Sequence, residues 1–248
     1  MPIKFPDLLQ DSWNFIRNQR TFSLYAMLLF CILQLASLFL VPRTGNNVDA
    51  QAQSATMTLA DLFPLLFMGV ANIFITTLLI LNIKAINNAN FSHFFQNLST
   101  TLTKLFPVIL LNIIMVLPLS VGMAFQVFGA QTGSGLDLLA FPLIISGAFL
   151  FIKLCLSVYA YLVEDLQNVA ETIRFTWQLS RGKGIALVLF CVIAYFVPQI
   201  LMSFLSGLGA NVTGLVLTVV ISSFFSLFIT VFSFRFYQVY SHNGGVKG

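Results

Sequence analysis

Six apolar runs, each long enough to cross a lipid bilayer, dominate this chain of 248 residues. A membrane-spanning helix needs about 20 apolar residues, because the rise is about 1.5 Å per residue and the hydrocarbon core is about 30 Å thick. The runs are continuous rather than alternating, which favours helices over membrane strands. They cover residues 22–41, 62–82, 105–128, 138–162, 185–206 and 213–237. The sequence therefore predicts an all-α polytopic protein with six transmembrane helices in a single membrane domain, residues 1–248.

Composition excludes a soluble domain. Hydrophobic residues make up 58% of the chain and charged residues only 8%, whereas soluble domains carry about 25% charged residues. So few charges cannot cover a folded surface of this size in water. Lipid must therefore surround most of the protein.

The distribution of Lys and Arg predicts the orientation of the six spans, because cytoplasmic loops carry an excess of these residues. If the N-terminus is cytoplasmic, the outer side holds only Arg43, and Lys153 lies inside a span. The cytoplasmic side then holds Lys4, Arg17, Arg20, Lys84, Lys104, Arg174, Arg181, Lys183, Arg235 and Lys247. We therefore expect both termini to be cytoplasmic. The first run is too long for a signal peptide, so we expect no cleavage at Ala50-Gln51-Ala52.

Three polar segments, each placed before a pair of spans, have a helical pattern. In residues 164–184 an apolar stripe recurs at spacings of three and four, and polar residues occupy the opposite face. Residues 7–20 and 87–104 have a similar pattern. Each segment is expected to form an amphipathic helix in the plane of the membrane.

An internal repeat of 80 residues connects these segments. The shift aligns Ser12, Ser92 and Thr172, and also Phe15, Phe95 and Phe175. The pattern predicts three parallel repeats of amphipathic helix plus transmembrane hairpin, at about 5–84, 85–164 and 165–244, around a pseudo-threefold axis. Regular spacing of three cytoplasmic loops without a true repeat is the alternative.

The amphipathic segments supply the candidate lipid contacts. Aromatic residues there are expected to anchor the protein at the interface; they are Phe15, Phe95, Phe175 and Trp177. Basic residues are expected to contact anionic lipid headgroups on the cytoplasmic face; they are Arg17, Arg20, Arg174, Arg181 and Lys183.

Lys153 is the ionisable residue placed deepest in a predicted span. A lysine at the centre of a membrane helix costs about 2.5–3.5 kcal/mol on insertion scales, so a functional role is the default hypothesis. Snorkelling of the side chain to the interface is the equally supported alternative. Polar residues inside the spans either join helices by hydrogen bonds, the favoured interpretation, or line a cavity; they are Gln34, Asn72, Asn82, Asn112, Gln126 and Gln199.

Catalytic and metal chemistry find no support in the sequence. Cys31, Cys155 and Cys191 each lie inside an apolar run, and His93 and His242 are the only histidines. This pattern fits neither a metal site nor a disulfide framework. The sequence also contains no motif that clusters the acids, bases or nucleophiles that catalysis needs. We therefore expect no enzyme activity, no cofactor or metal, and no nucleic-acid partner.

Three motifs resemble the YciC family, inner-membrane proteins of gammaproteobacteria. They are "NFIRNQ" at 14–19, "YLVEDLQNVAETIRFTWQLSRG" at 161–182 and "FRFYQVY" at 234–240. The resemblance implies a multi-pass protein of a bacterial inner membrane, and it implies no activity.

The sequence is compatible with two functions. The first is a non-enzymatic scaffold or lipid-associated factor of the envelope. The alternative is a small transporter or channel, with a path along the pseudo-threefold axis and Lys153 as a selectivity element. Coupled transport usually shows acidic residues or unwound helices near the midplane, and their absence from the sequence pattern favours the first function.

Overall fold

The fold is described from a computed structural model over residues 3–40, 59–133, 135, 137–206 and 212–242. Within these residues the chain forms ten α-helices, joined by turns and one π-helical segment. They are α1 Phe5–Asn18, α2 Arg20–Leu40, α3 Leu59–Asn87, α4 Leu98–Thr132, α5 Asp137–Leu154, α6 Ser157–Val163, α7 Val169–Leu179, α8 Gly184–Cys191, α9 Val197–Ser206 and α10 Val212–His242. Arg43, Lys247 and the Ala50–Ala52 motif, on which three expectations rest, lie outside the described residues.

Six helical stretches are long and apolar enough to cross a membrane. They are Arg20–Leu40, Leu62–Asn87, Leu98–Thr132, Leu138–Val163, Gly184–Leu205 and Val212–His242. The six predicted spans are confirmed as such helices. Several are longer than expected, because the helices continue past the apolar runs into polar sequence.

The spans pack as neighbours in a closed order. Helix α2 contacts α3 and α10, α3 contacts α4, and α4 packs closely along α5. The ring closes through α5 against α8 and α9 against α10. Outside the ring, α1 packs on α10, and α7 packs on α5 and α6.

The ring is packed most tightly at the end that carries most of the cations. Fully buried side chains of this end include Ile83, Leu162, Phe190, Phe236 and Tyr240. At the other end large apolar residues face outward, among them Phe39, Phe63, Leu138, Phe204 and Val212. The common core is therefore made by the half of each span nearest the charged end.

Helices α4 and α5 approach each other through glycine. A Cβ atom on Gly147 would lie 2.6 Å from the backbone nitrogen of Leu119, and one on Gly122 would lie 2.9 Å from the backbone nitrogen of Ile144. Small residues allow such close contact between membrane helices, where packing rather than exclusion of water drives association.

Two spans depart from regular α-helix. The fourth turns at Cys155 and Leu156, between α5 and α6. The fifth contains the π-helical segment Val192–Phe196 immediately before α9. Pro198 has no backbone N–H and its ring would clash with the carbonyl four residues earlier, so a wider turn relieves the conflict.

The prediction of an amphipathic helix in the middle segment, residues 87–104, is wrong. Residues 88–97 are not helical and contain turns at 88–89 and 94–97, and α4 begins only at Leu98. The side chain of Gln96 accepts hydrogen bonds from the backbone nitrogen and the hydroxyl of Ser92, at 2.7 and 2.8 Å. Buried Asn82 donates to the carbonyl of Phe94 at 2.7 Å and accepts from Asn97 at 2.8 Å. These side chains bind the backbone locally and so compete with helix formation.

The two remaining amphipathic segments do form helices, and their buried faces match in a register different from the predicted one. The buried residues are Leu8, Ser12 and Phe15 in α1, and Thr172, Thr176 and Leu179 in α7. Leu8 and Thr172, Ser12 and Thr176, and Phe15 and Leu179 are each 164 residues apart. Two shifts of 80 residues would give a spacing of 160. The hydroxyls of Ser12 and Thr176 each donate to the carbonyl four residues earlier, at 2.7 and 2.8 Å.

Trp13 and Trp177 extend the match between α1 and α7. The ring of Trp13 meets that of Phe224 edge to face at 5.9 Å, and the ring of Trp177 meets that of Phe149 in the same way at 6.0 Å. In both cases the partner belongs to the second span of a hairpin. Phe15 and Phe175, which the 80-residue shift had paired, therefore occupy different places.

Candidate functional site

A cavity of about 410 Å³ lies inside the ring of spans. All six membrane-spanning stretches contribute residues to its wall, with Phe30 and Ile80 on the side of the charged end. Its volume falls in the range of about 300–1,000 Å³ that is typical of ligand pockets.

Three amide side chains line the cavity at a common depth. Gln34 and Asn112 lie 14 residues from the charged ends of α2 and α4, and Asn72 lies 15 residues from that end of α3. At a rise of about 1.5 Å per residue, all three are a little over 20 Å from the charged end. Three of the six polar residues of the spans therefore line the cavity, whereas Asn82 binds Phe94 and Asn97, and Gln126 and Gln199 are not part of the wall.

The three amides differ in their partners. Asn112 donates to the carbonyl of Val108 at 2.9 Å, one turn earlier on the same helix. Within the described residues, the side chains of Gln34 and Asn72 have no hydrogen-bond partner in the protein. Their donors and acceptors are thus available to whatever fills the cavity.

The wall of the cavity contains no side chain of Asp, Glu, Lys or Arg within the described chain. Its other polar groups are hydroxyls, and several are bonded within their own helix. Thr77 donates to the carbonyl of Ile73 at 2.7 Å, and Ser226 donates to that of Ser222 at 2.9 Å. Aromatic rings, including those of Tyr195 and Phe225, complete the wall. The site is suited to hydrogen bonding and apolar contact rather than to charge.

Lys153 is not part of this cavity. Its Nζ donates to the carbonyl of Ser180 at 3.1 Å and lies 5.8 Å from the centre of the Phe149 ring. Ser180 is the C-cap of α7, where free carbonyls and the negative end of the helix dipole attract a cation. Lys153 thus connects the end of α7 with α5.

The predicted headgroup contacts lie at the charged end, and four of the five are exposed: Arg17, Arg20, Arg174 and Arg181. Lys183 is partly buried, with its Nζ 5.4 Å from the centre of the Tyr240 ring. Arg17 lies in α1 and Arg174 in α7, while Arg20 and Arg181 come directly after these helices. The two helices therefore bring all four arginines to one end of the bundle.

The four predicted aromatic anchors do not share one environment. Phe15 is buried, and its ring lies against Phe22 and beneath the guanidinium of Arg235, so it is a core residue. Phe95 is 52% exposed, whereas Phe175 and Trp177 are partly buried.

An ion-pair cluster that the sequence did not reveal joins three segments at the charged end. The carboxylate of Asp165 accepts from Lys84 at 2.5 Å and from Lys104 at 2.6 Å, and Lys84 also donates to the carbonyl of Leu162 at 3.1 Å. Asp165 thereby links the end of α3 and the start of α4 to the turn after α6. No motif marks the cluster, because its members are far apart in the chain.

The environment of Asp165 favours its charged form. Burial by itself would raise the pKa of this carboxyl, but hydrogen bonds and positive charge from Lys104 and Lys84 outweigh it and hold the pKa below the usual value. A lowered pKa stabilises the fold above the pKa of the unfolded chain, about 3.9, and the benefit is lost as pH falls through the folded pKa.

Asp165→Asn should therefore lower the melting temperature at pH 7 and make the protein less sensitive to acid below about pH 4. The free energy of unfolding should fall by at most about 1 kcal/mol, since the Asp165 side chain is 63% exposed and its charge is screened by solvent. Asn tolerates the left-handed backbone at this position, where φ is 52°. Melting curves between pH 3 and 7 test this, with Asp7→Asn as the exposed control. Parallel pH profiles for Asp165→Asn and the wild type would contradict the role of the cluster.

Comparisons with known proteins give one distant similarity and no function. No protein-family model matches the chain. The chain is similar to an uncharacterised protein of Haemophilus influenzae, with 26% identity over 246 residues, which are 97% of this chain and 99% of that protein. No solved structure matches.

Proposed function

We propose that this is a non-enzymatic protein of a bacterial inner membrane, of the YciC family, whose basic end associates with anionic lipid on the cytoplasmic face. The observation that carries the proposal is the gathering of exposed Arg17, Arg20, Arg174 and Arg181 at the tightly packed end of the six spans. Each cation near an anionic surface contributes about 1 kcal/mol of attraction.

The packing of α1 and α7 supports this assignment. Each helix buries one face against a span, and each carries one exposed arginine, with a second exposed arginine directly after its end. Rigid attachment places the cations at a constant level without further ordering of the chain. A scaffold with two such helices provides a basic rim for the inner leaflet.

The three-hairpin repeat is part of the proposal. Its support is the cyclic order of the spans and the matching contacts of α1 and α7. The middle unit has replaced its amphipathic helix by the non-helical segment 88–97. We infer that these units share one ancestry and that the middle unit has diverged.

The proposed orientation has an all-or-none test. Alkaline phosphatase, which is active only in the periplasm, is expected to be active when inserted at Asn46 and inactive when fused after Gly248, because the excess of Lys and Arg keeps the basic end inside. A green fluorescent protein fused at Gly248 should be fluorescent, as the complementary control. Activity at Gly248 and not at Asn46 would reverse the assignment.

The lipid association predicts loss of bound anionic lipid when charge is removed from α7 and the turn after it. Arg174→Gln with Arg181→Gln should lower the affinity for phosphatidylglycerol about thirtyfold, from about 1 kcal/mol per cation. Lipids retained after gentle extraction are measured by native mass spectrometry. The matched control is Arg174→Lys with Arg181→Lys, which keeps the charge and should retain the lipid. Equal phosphatidylglycerol content in the Gln variant and the wild type contradicts the proposal.

A small transporter or channel is the second candidate. The cavity favours it, since all six spans line a polar space near the axis of the ring. Lys153 is not the selectivity element of this second candidate, because its Nζ donates to Ser180 at the end of α7 instead of facing the cavity. Solute flux into proteoliposomes that is lost when the cavity is filled by Asn72→Phe would support it over the scaffold.

A further inference from the structure

We propose that the central cavity is a binding site for a single-chain lipid whose head is uncharged and carries a hydroxyl or carbonyl group. This inference does not depend on the proposed lipid association of the basic end, which concerns anionic lipid outside the bundle. Three properties of the cavity carry it: the lack of charge, the two free amides and the size.

The lack of charge determines the class of head. Asp, Glu, Lys and Arg are absent from the described wall. An ionised head placed there would lose its hydration and find no counter-ion, which is unfavourable in the low-dielectric interior of a membrane protein. A neutral head avoids this penalty.

The free amides determine what the head must offer. Gln34 and Asn72 stand on neighbouring spans at one depth, and neither side chain has a partner within the described chain. An amide presents both donors and an acceptor. A hydroxyl can bond to both kinds of group and a carbonyl can accept from the donors, whereas a pure hydrocarbon would leave the amides unpaired.

The remaining wall and the volume determine the tail. Apolar side chains such as Ile73, Leu201 and Phe225 line the cavity between its polar groups. A space of about 410 Å³ is at the lower end of the range for ligand pockets, so it is suited to one chain rather than two. The site lies among membrane spans, where lipid is the surrounding solvent.

A pair of probes that differ only in charge tests the inference. The purified full-length protein in detergent is irradiated with monoacylglycerol that carries a diazirine in its acyl chain, or with lysophosphatidic acid of the same chain. Labelled positions are identified by mass spectrometry. The neutral probe is expected to label cavity residues saturably, in competition with unlabelled monooleoylglycerol, and the charged probe at least tenfold less.

Substitution of the two amides connects labelling to the site. Gln34→Leu with Asn72→Leu should lower cavity labelling by the neutral probe about tenfold, since it removes the hydrogen bonds to the head. Gln199→Leu is the matched control, because this exposed residue of α9 lies outside the cavity and should leave labelling unchanged. Equal labelling by the two probes, or no saturable labelling of the cavity, as for a space that holds water, would overturn the inference. Both outcomes are read on the wild type, so they stand even if the double variant fails to fold.

Discussion

Gly147→Ala should lower the free energy of unfolding by about 1–3 kcal/mol, the typical cost of overpacking. The new Cβ would lie 2.6 Å from the nitrogen and 2.7 Å from the Cα of Leu119, and 2.9 Å from the carbonyl carbon of Pro118. All three are backbone atoms of α4, so no side chain can rotate away, and the two helices must separate. For a chain of this size the melting temperature falls by about 2–4 °C per kcal/mol.

Gly69→Ala is the matched control for this prediction. Gly69 also lies inside a membrane helix, but a Cβ there meets no atom within 4 Å. Alanine has the higher helix propensity, so the control should melt at the wild-type temperature or slightly above it. Thermal melting of both variants in one detergent makes the comparison. If the Gly147→Ala and Gly69→Ala variants have the same melting temperature, then α4 and α5 are not in such close contact.

Phe190→Ala is expected to have the second large effect. The Phe190 ring is fully buried and stacks on that of Phe236, with centres 4.5 Å apart and planes 14° apart. Truncation of such a ring in a soluble core costs about 3–5 kcal/mol, part of which is transfer from water. In a membrane the reference surroundings are already apolar, so the loss of contacts and the new cavity remain. We therefore expect a loss in the lower part of the soluble range.

The control for Phe190→Ala is Phe204→Ala, at a ring in the same span that is 76% exposed. The Phe204 ring contacts lipid in both the folded and the unfolded protein, so its removal changes the two states equally. The melting temperature of this variant should therefore stay close to that of the wild type. Thermal melting of the two variants side by side provides the measurement. Equal losses at the two positions would mean that the packed core is not where the structure places it.

Hydropathy is a property of consecutive residues, which explains why the spans could be predicted. Each of the six apolar runs must form its own backbone hydrogen bonds in lipid, and an α-helix achieves this within one segment. The amphipathic character of residues 5–18 and 169–179 is also local, and α1 and α7 form as expected. The middle segment shows the limit. Its apolar pattern favoured a helix, but Gln96 and Asn82 bind the backbone in turns.

The functional residues illustrate a different limit. Lys153 stood out because a cation inside a span is costly, yet its partner is the carbonyl of Ser180, on a helix packed alongside. Asp165 belongs to no recognisable motif, although it joins Lys84 and Lys104 from two other segments. A single sequence lists such groups without their partners, and the partner decides whether a charge binds a ligand or holds the fold.

The sequence by itself determined that the chain is helical and has six segments long and apolar enough to cross a membrane, since both follow from the length and apolar content of local runs. Tertiary structure alone decided that Gln34, Asn72 and Asn112 meet around one cavity, and that α1 and α7 correspond at a spacing of 164 residues. The physical reason is that hydrogen bonds within a helix depend on neighbours in the chain. Cavities, ion pairs and equivalent packing positions depend on distances between segments that hydropathy does not encode.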